Sequence, residues 1–211
     1  MANDHLSTRD EILFMLKTNG SLTVSEISKE LGITEMAVRR HLNTLERDEL
    51  IRSTLVRQAM GRPTNLYSLT EKAEDQFPKT YRDLAKDLLD AIAESEGIEK
   101  IEVLFDKREQ RLRKRYLEKM AGRTSLDEKV KALVDIQNDK GYMVDWEKVE
   151  DGFLIKEYNC PIAEIARDYN HACEGEKKLF KNVLGTEVES VQCMARGDHS
   201  CIYKIKQKVN S

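Results

Sequence analysis

"TVSEISKELGITEMAVRRHLNTL", residues 23–45, decides the fold. Thr23 followed three residues later by Glu26 is a capping-box signature, and Val24, Ile27 and Leu31 then make an apolar stripe at helical spacing. Gly32 permits a sharp exit from that helix. Thr34 can cap a further helix, in which Val38, Leu42 and Leu45 recur at i, i+4 and i+7 and face a core. The pattern predicts two helices joined by a tight turn. Opposite the buried stripe of the second, Met36, Arg40, Asn43 and Arg47 follow at spacings of four, three and four, with Arg39 alongside.

On a lone helix such a stripe is an ordinary solvated face; its flanks change the reading. Upstream, Thr8 and Glu11 match the capping pattern and Ile12, Leu13, Met15 and Leu16 give a first helix. Downstream, "LIRSTLVRQAMGRPTNLYSLT" (residues 50–70) holds two strand-like runs, Leu50 to Val56 and Asn65 to Leu69, around a loop with Gly61, Arg62 and Pro63. From Met36 to Tyr67, Arg39, Arg40, Arg47, Arg52, Arg57 and Arg62 outnumber Glu46, Asp48 and Glu49. Helix, turn, helix and basic-tipped hairpin in this order resemble the winged-helix DNA-binding domains of bacterial transcription regulators, over roughly residues 7–70. The resemblance implies that Met36, Arg39, Arg40, Asn43 and Arg47 meet the major groove of double-stranded DNA. Arg57 and Arg62 would then position the wing on backbone or minor groove.

The chain has 211 residues, room for two modest domains. A charged fraction of 35% beside a hydrophobic fraction of 40% fits a helix-rich protein with no membrane span, and the net charge of −3 argues against a uniformly basic coat. The opening residues carry no basic leader with a long apolar run, so a cytoplasmic location is expected. Pro78 predicts the start of an amphipathic helix with Tyr81, Leu84, Ala85, Leu88, Leu89 and Ile92 on one side, suited to packing on its own domain or on a second copy. Two-fold operators favour the homodimer. Gly97 reads as a break, residues 101–120 and 125–139 as helices, and "KREQRLRKR" as a solvated charged run. The remainder mixes strands and helices. The expected class is therefore α+β, with a winged helix-turn-helix over residues 1–72, a connecting, dimerising helix over 73–97 and a cysteine-containing sensor domain over 98–211.

All four cysteines, Cys160, Cys173, Cys193 and Cys201, fall in that last region. In a reducing compartment thiols so grouped mean metal or redox chemistry more often than disulfide staples. The C-x12-C-x27-C spacing, with the "GRP" wing, "FP" before the connecting helix, "NCPIAEIA", "C-x-x-E" at Cys173 and "GDHSC", resembles the SufR family of iron-sulfur-dependent repressors. That resemblance implies an iron-sulfur cluster held by Cys160, Cys173 and Cys201. The fourth position is open among Cys193, His171, His199, Asp198 and an exogenous ligand. Some relatives carry a further cysteine where this chain has Lys156, and Cys193, on a predicted strand face with Val191, also reads as a core residue. Arg167 and Arg196 are candidates to moderate the negative charge.

The chemistry is coherent, because thiolates are the soft anionic donors that iron-sulfur centres require. Zinc is the chemical rival, although the close C-x2-4-C knuckles of structural zinc sites are missing. A thiol-redox or small-molecule sensor on the same winged helix is a further alternative. A thiol-dependent enzyme ranks last, since no C-x-x-C pair, phosphate loop or Cys/His arrangement supports it; the expectation is a repressor and not an enzyme.

Overall fold

The computed structural model describes residues 7–57 and 62–207, and the chain divides into two compact units between Lys79 and Thr80. In the first unit, α1 (Thr8–Asn19), β1 (Ser21–Thr23), α2 (Val24–Leu31) and α3 (Glu35–Arg47) precede the hairpin of β2 (Ile51–Val56) and β3 (Thr64–Leu69). A 3-10 turn, Glu71–Gln76, follows. β3 lies between β1 and β2, antiparallel to both, so Leu22 faces Tyr67 and Thr54 faces Leu66. The capping box of α2 forms as its sequence dictates: Thr23 N–H donates to Glu26 Oε2 at 2.7 Å and Glu26 N–H to Thr23 Oγ1 at 3.3 Å. In α1 the box sits one residue earlier than expected, because Ser7 takes the extended cap conformation and exchanges these bonds with Asp10. Ile12, Leu16, Ile27, Val38, Leu42, Leu45 and Ile51 meet in one core.

The second unit begins with α4 (Tyr81–Glu96), α5 (Ile98–Lys119) and α6 (Leu126–Asp139). It continues with the hairpin β4 (Val144–Val149) and β5 (Gly152–Glu157), then α7 (Ala163–Asp168), α8 (His171–Leu184), β6 (Val188–Gln192) and β7 (Cys201–Lys206). Pro78 lies ahead of the helix it was expected to open; Thr80 stands at the cap position, and Gly97 separates α4 from α5 inside this unit. The four strands run antiparallel in the order β4-β5-β7-β6. Phe153, Ile155 and Glu157 of β5 and Cys201, Tyr203 and Ile205 of β7 are buried on one face, the pleat sending the residues between them the other way. That face packs on Leu133 of α6 and Leu179, Phe180 and Val183 of α8.

Gly152 is needed where it stands: its φ is +144°, and a Cβ there would lie 2.0 Å from the Ile205 carbonyl oxygen. A side chain would push β5 off β7 where Gly152 pairs with Lys206, at the end of β7 remote from Cys201. A smaller cluster of Ile101, Phe105, Ala166, Tyr169 and Ala172 joins α5, α7 and α8, with Leu89 and Ile92 of α4 against it. The mixed α+β architecture with an N-terminal winged helix is the expected one.

Candidate functional site

Two sites arise, one in each unit. On α3, Val38, Leu42 and Leu45 are buried while Met36, Arg39, Arg40, Asn43 and Arg47 are all exposed, Met36 at 81%. The five predicted side chains therefore share the outward side of one helix. Arg39 pairs with Glu35 at 3.3 Å and Arg47 lies 3.6 Å from Asp48. Arg57 and Arg62 are exposed at either end of the wing loop; Gly61, part of the predicted tip, lies outside the described residues.

In the second unit the fold brings the four cysteines to one region from four elements. Cys160 follows β5, Cys173 sits in the first turn of α8, Cys193 lies just past β6 and Cys201 opens β7. Cys193 and Cys173 are in direct contact, Sγ to Sγ 3.6 Å, and Met194 N–H donates to Cys201 Sγ at 3.4 Å. Burial pushes the Cys160 thiol up to about 11 and Cys201 to about 12; Cys173 is raised further, by burial and then by its Cys193 neighbour. Cys160 and Cys193 each add to the shift of the Cys201 thiol, which places them within electrostatic reach of it. Uncompensated thiolates are unfavourable at such a place, and a bound cation relieves both their desolvation and their repulsion. Among the described residues, no three His, Cys, Asp or Glu side chains are already spaced around a single ion position. Thiols are the donor type that a soft metal centre takes, and of the four Cys173 and Cys193 are already in contact.

Cys193 departs from the strand face on which it was expected to accompany Val191. A register shift between Ser190 and Gln192 re-aims the chain, leaving Val191 56% exposed and Cys193 buried. Asp198, one candidate for the fourth ligand, is engaged locally: its Oδ2 accepts from Cys193 N–H at 2.8 Å and thereby fixes that thiol. His199 is exposed. His171 lines an open cavity of about 550 Å³ with Glu102, Asp106 and Lys178, in which no cysteine takes part. Arg196 lies 3.5 Å from Glu174, Arg167 is exposed, and Lys156 pairs with Glu147 at 2.8 Å.

Beside the thiols lies a buried polar network that sequence reasoning missed. Tyr116 donates to Gln137 Oε1 at 2.6 Å, Gln137 Nε2 to Glu157 Oε1 at 2.9 Å, and Tyr203 to Glu176 Oε2 at 3.3 Å. Glu157 is fully buried, its Oε2 has no hydrogen-bond partner, and on β5 it stands directly opposite Cys201 of β7. Burial, then the neighbouring Glu176, holds its carboxyl well above the usual carboxylate range, and burial raises Glu176 against the pull of Tyr142 and Arg108. The legible signal was the alternation Phe153, Ile155, Glu157, which places an acid on the apolar face, together with the glutamate of "C-x-x-E", Glu176.

A carboxyl kept protonated in the fold but ionised in the unfolded chain makes stability fall as pH rises from the ordinary carboxylate range. Glu157→Gln, which supplies an amide to the orphaned position, is expected to raise the neutral-pH melting temperature of the metal-free protein. The rise should be about 3 °C, the shift that about 1 kcal/mol produces at this size. Thermal scans at pH 5 and 8 check it: the gain should be larger at pH 8, and an equal loss at both would contradict the assignment.

Residues 7–53 match the family model "Bacterial regulatory protein, arsR family". That match takes in α1 to α3 and the start of β2, and ends before the rest of the wing hairpin. Over 66 residues the chain is 32% identical to the "Probable C4-dicarboxylate response regulator DctR" of Bacillus subtilis (strain 168), covering 31% of this chain and 29% of that one. Over 45 residues it is 47% identical to the lactose phosphotransferase system repressor of Lactococcus lactis subsp. lactis, covering 21% and 18%. The chain thus spans less than a third of the length of these curated relatives. A solved structure of Lactococcus lactis ZitR, wild type in complex with DNA, is 25% identical over 44% of this chain and 77% of that one, with a TM-score of 0.27. The family match ends at residue 53, so the thiol-bearing unit is read from its own residues.

Proposed function

We propose that this chain is a DNA-binding transcriptional repressor, acting as a cytoplasmic homodimer, whose second unit holds an iron-sulfur cluster through Cys160, Cys173 and Cys201, with Cys193 a candidate for the fourth position. The observation that carries the reading is the pairing, in one chain, of an arsR-type winged helix with four thiols drawn together from distant elements. α3 presents Met36, Arg39, Arg40, Asn43 and Arg47 for the major groove, and Arg57 and Arg62 steady the wing on the flanking duplex. A cluster, when bound, supplies a redox-active and labile anchor, so its presence or loss biases how the two reading helices are held. Selection from random duplexes with oxygen-protected protein tests the DNA reading: enrichment of two related half-sites is expected, and no enrichment over the starting pool would overturn it.

The dimer is proposed through α4. Tyr81 is 72% exposed, and Leu84 and Leu88 are each 56% exposed on the same side, at i, i+3 and i+7. Leu88 also edges an apolar groove of about 400 Å³ lined with Ala85, Leu89, Leu104, Ile162 and Ile165. Such a face on a helix of 16 residues, in a protein expected to read two-fold sites, suits a second copy. Leu88→Asp should turn dimer into monomer in analytical ultracentrifugation; an unchanged sedimentation coefficient would place the interface elsewhere. Among the described residues no helix is long and apolar enough to cross a membrane.

Zinc is kept as a second reading because of one distance. Two sulfurs on a tetrahedral zinc, each at about 2.3 Å from the ion, stand about 3.8 Å apart, close to the 3.6 Å between Cys173 and Cys193. Metal analysis of the purified protein separates the two.

A further inference from the structure

We propose that Cys173 and Cys193 form an oxidisable dithiol, which a peroxide closes to a disulfide when the chain is free of metal. The inference concerns the metal-free chain and stands whichever metal the thiols bind, or none. All four cysteines are free in the structure, yet these two sulfurs are already in contact at 3.6 Å. Each is held there by its own element. Cys173 is fixed by the first turn of α8, its N–H donating to the Asn170 carbonyl at 3.0 Å. Cys193 is held by the Asp198 carboxylate on its N–H, while its carbonyl accepts from Arg196 N–H at 2.9 Å. The gap from 3.6 Å to the about 2.05 Å of a disulfide bond is short. Cys201, by contrast, has its sulfur turned to the Met194 N–H.

Exposure orders the two steps. Cys173 is partly exposed and Cys193 buried, so a small oxidant reaches Cys173 first. Its thiolate attacks one oxygen of hydrogen peroxide; the O–O bond breaks, a sulfenic acid forms, and the other oxygen leaves as water with a proton from solvent. The Cys193 sulfur then attacks the sulfenyl sulfur and loses its proton as the sulfenic oxygen departs as a second water. In sum two S–H bonds and one O–O bond break, one S–S bond forms, and the peroxide accepts two electrons. The bond would tie α8 to the β6–β7 connection and withdraw two donors from the site, so metal and disulfide exclude one another.

The test uses the full chain, stripped of metal with a chelator, freed of reductant and treated with hydrogen peroxide. Remaining thiols are then alkylated and the digest is read by mass spectrometry. Alkylatable thiols should fall from four to two per chain, with one cross-linked peptide pair joining Cys173 to Cys193 and lacking two hydrogens. Cys160→Ser should leave that product unchanged and Cys193→Ser should remove it, with Trp146 fluorescence reporting that each variant is folded. Four thiols still alkylatable, an intermolecular bridge, or a dominant bridge through Cys160 or Cys201 would each overturn the proposal. None of these outcomes depends on whether the reduced protein takes up iron, so failure here leaves the cluster reading to its own test.

Discussion

Arg40→Ala is expected to weaken binding to the selected duplex by about 5- to 150-fold, the equivalent of the roughly 1–3 kcal/mol that a lost base contact costs. Arg40 is exposed near the middle of the outward stripe of α3, between Met36 and Asn43, while Arg39 beside it already has Glu35 as a partner at 3.3 Å. Arg39→Ala should therefore have the smaller effect. A salt titration separates the kinds of contact. Loss of a phosphate contact lowers the slope of log affinity against log salt by about one and weakens all duplexes alike; loss of a base contact keeps the slope and relaxes the sequence preference at one position. Since the side chain is exposed, thermal stability should be unchanged. Equal affinity for variant and parent at every salt concentration would remove Arg40 from the reading surface.

The second large effect is on the sensor unit. Phe180 is fully buried on α8, its ring 4.9 Å from Tyr203 of β7 at 68°, an edge-to-face contact that pins the helix to the sheet end carrying Cys201. Phe180→Ala removes that ring and leaves a cavity, at a cost of about 3–5 kcal/mol. Against a total stability of about 5–15 kcal/mol this brings the unit near unfolding. Trp146, the chain's single tryptophan, packs 5.8 Å from Phe153 and reports on the same core. Urea denaturation followed by its fluorescence should show a midpoint well below that of the parent, with the denaturant slope unchanged. A loss of under about 1 kcal/mol would mean that the core is not closed around this ring.

How much of this was legible depended on whether the deciding interaction is local. Thr23 with Glu26, and Val38 with Leu42 and Leu45, act within one or two turns, so α2 and α3 could be read from the chain directly. Ser7-x-x-Asp10 and Thr8-x-x-Glu11 both fit the capping pattern, and a single cap conformation at Ser7 chose between them, which no spacing reveals. Pro78 was a plausible first helical residue, but the helix begins three residues later, at Tyr81. The thiol spacing suggested that the cysteines could meet. That Cys193 touches Cys173 follows from a register shift in β6 and from the carboxylate of Asp198, neither of which leaves a periodic trace. Glu109, inside the charged run of α5, is buried and takes a hydrogen bond from Asn182 at 2.9 Å, a tertiary pairing that a run of charges conceals. Gln137 is concealed likewise, as one polar residue on an amphipathic helix whose partner, Glu157, arrives from another element.

The account is tested most directly by visible absorption spectroscopy on protein purified without oxygen, with iron and acid-labile sulfide measured on the same sample. It predicts a coloured protein containing both iron and sulfide, and loss of both in Cys160→Ser and Cys201→Ser. A colourless protein, still free of iron after reconstitution with ferrous iron and sulfide, would contradict it.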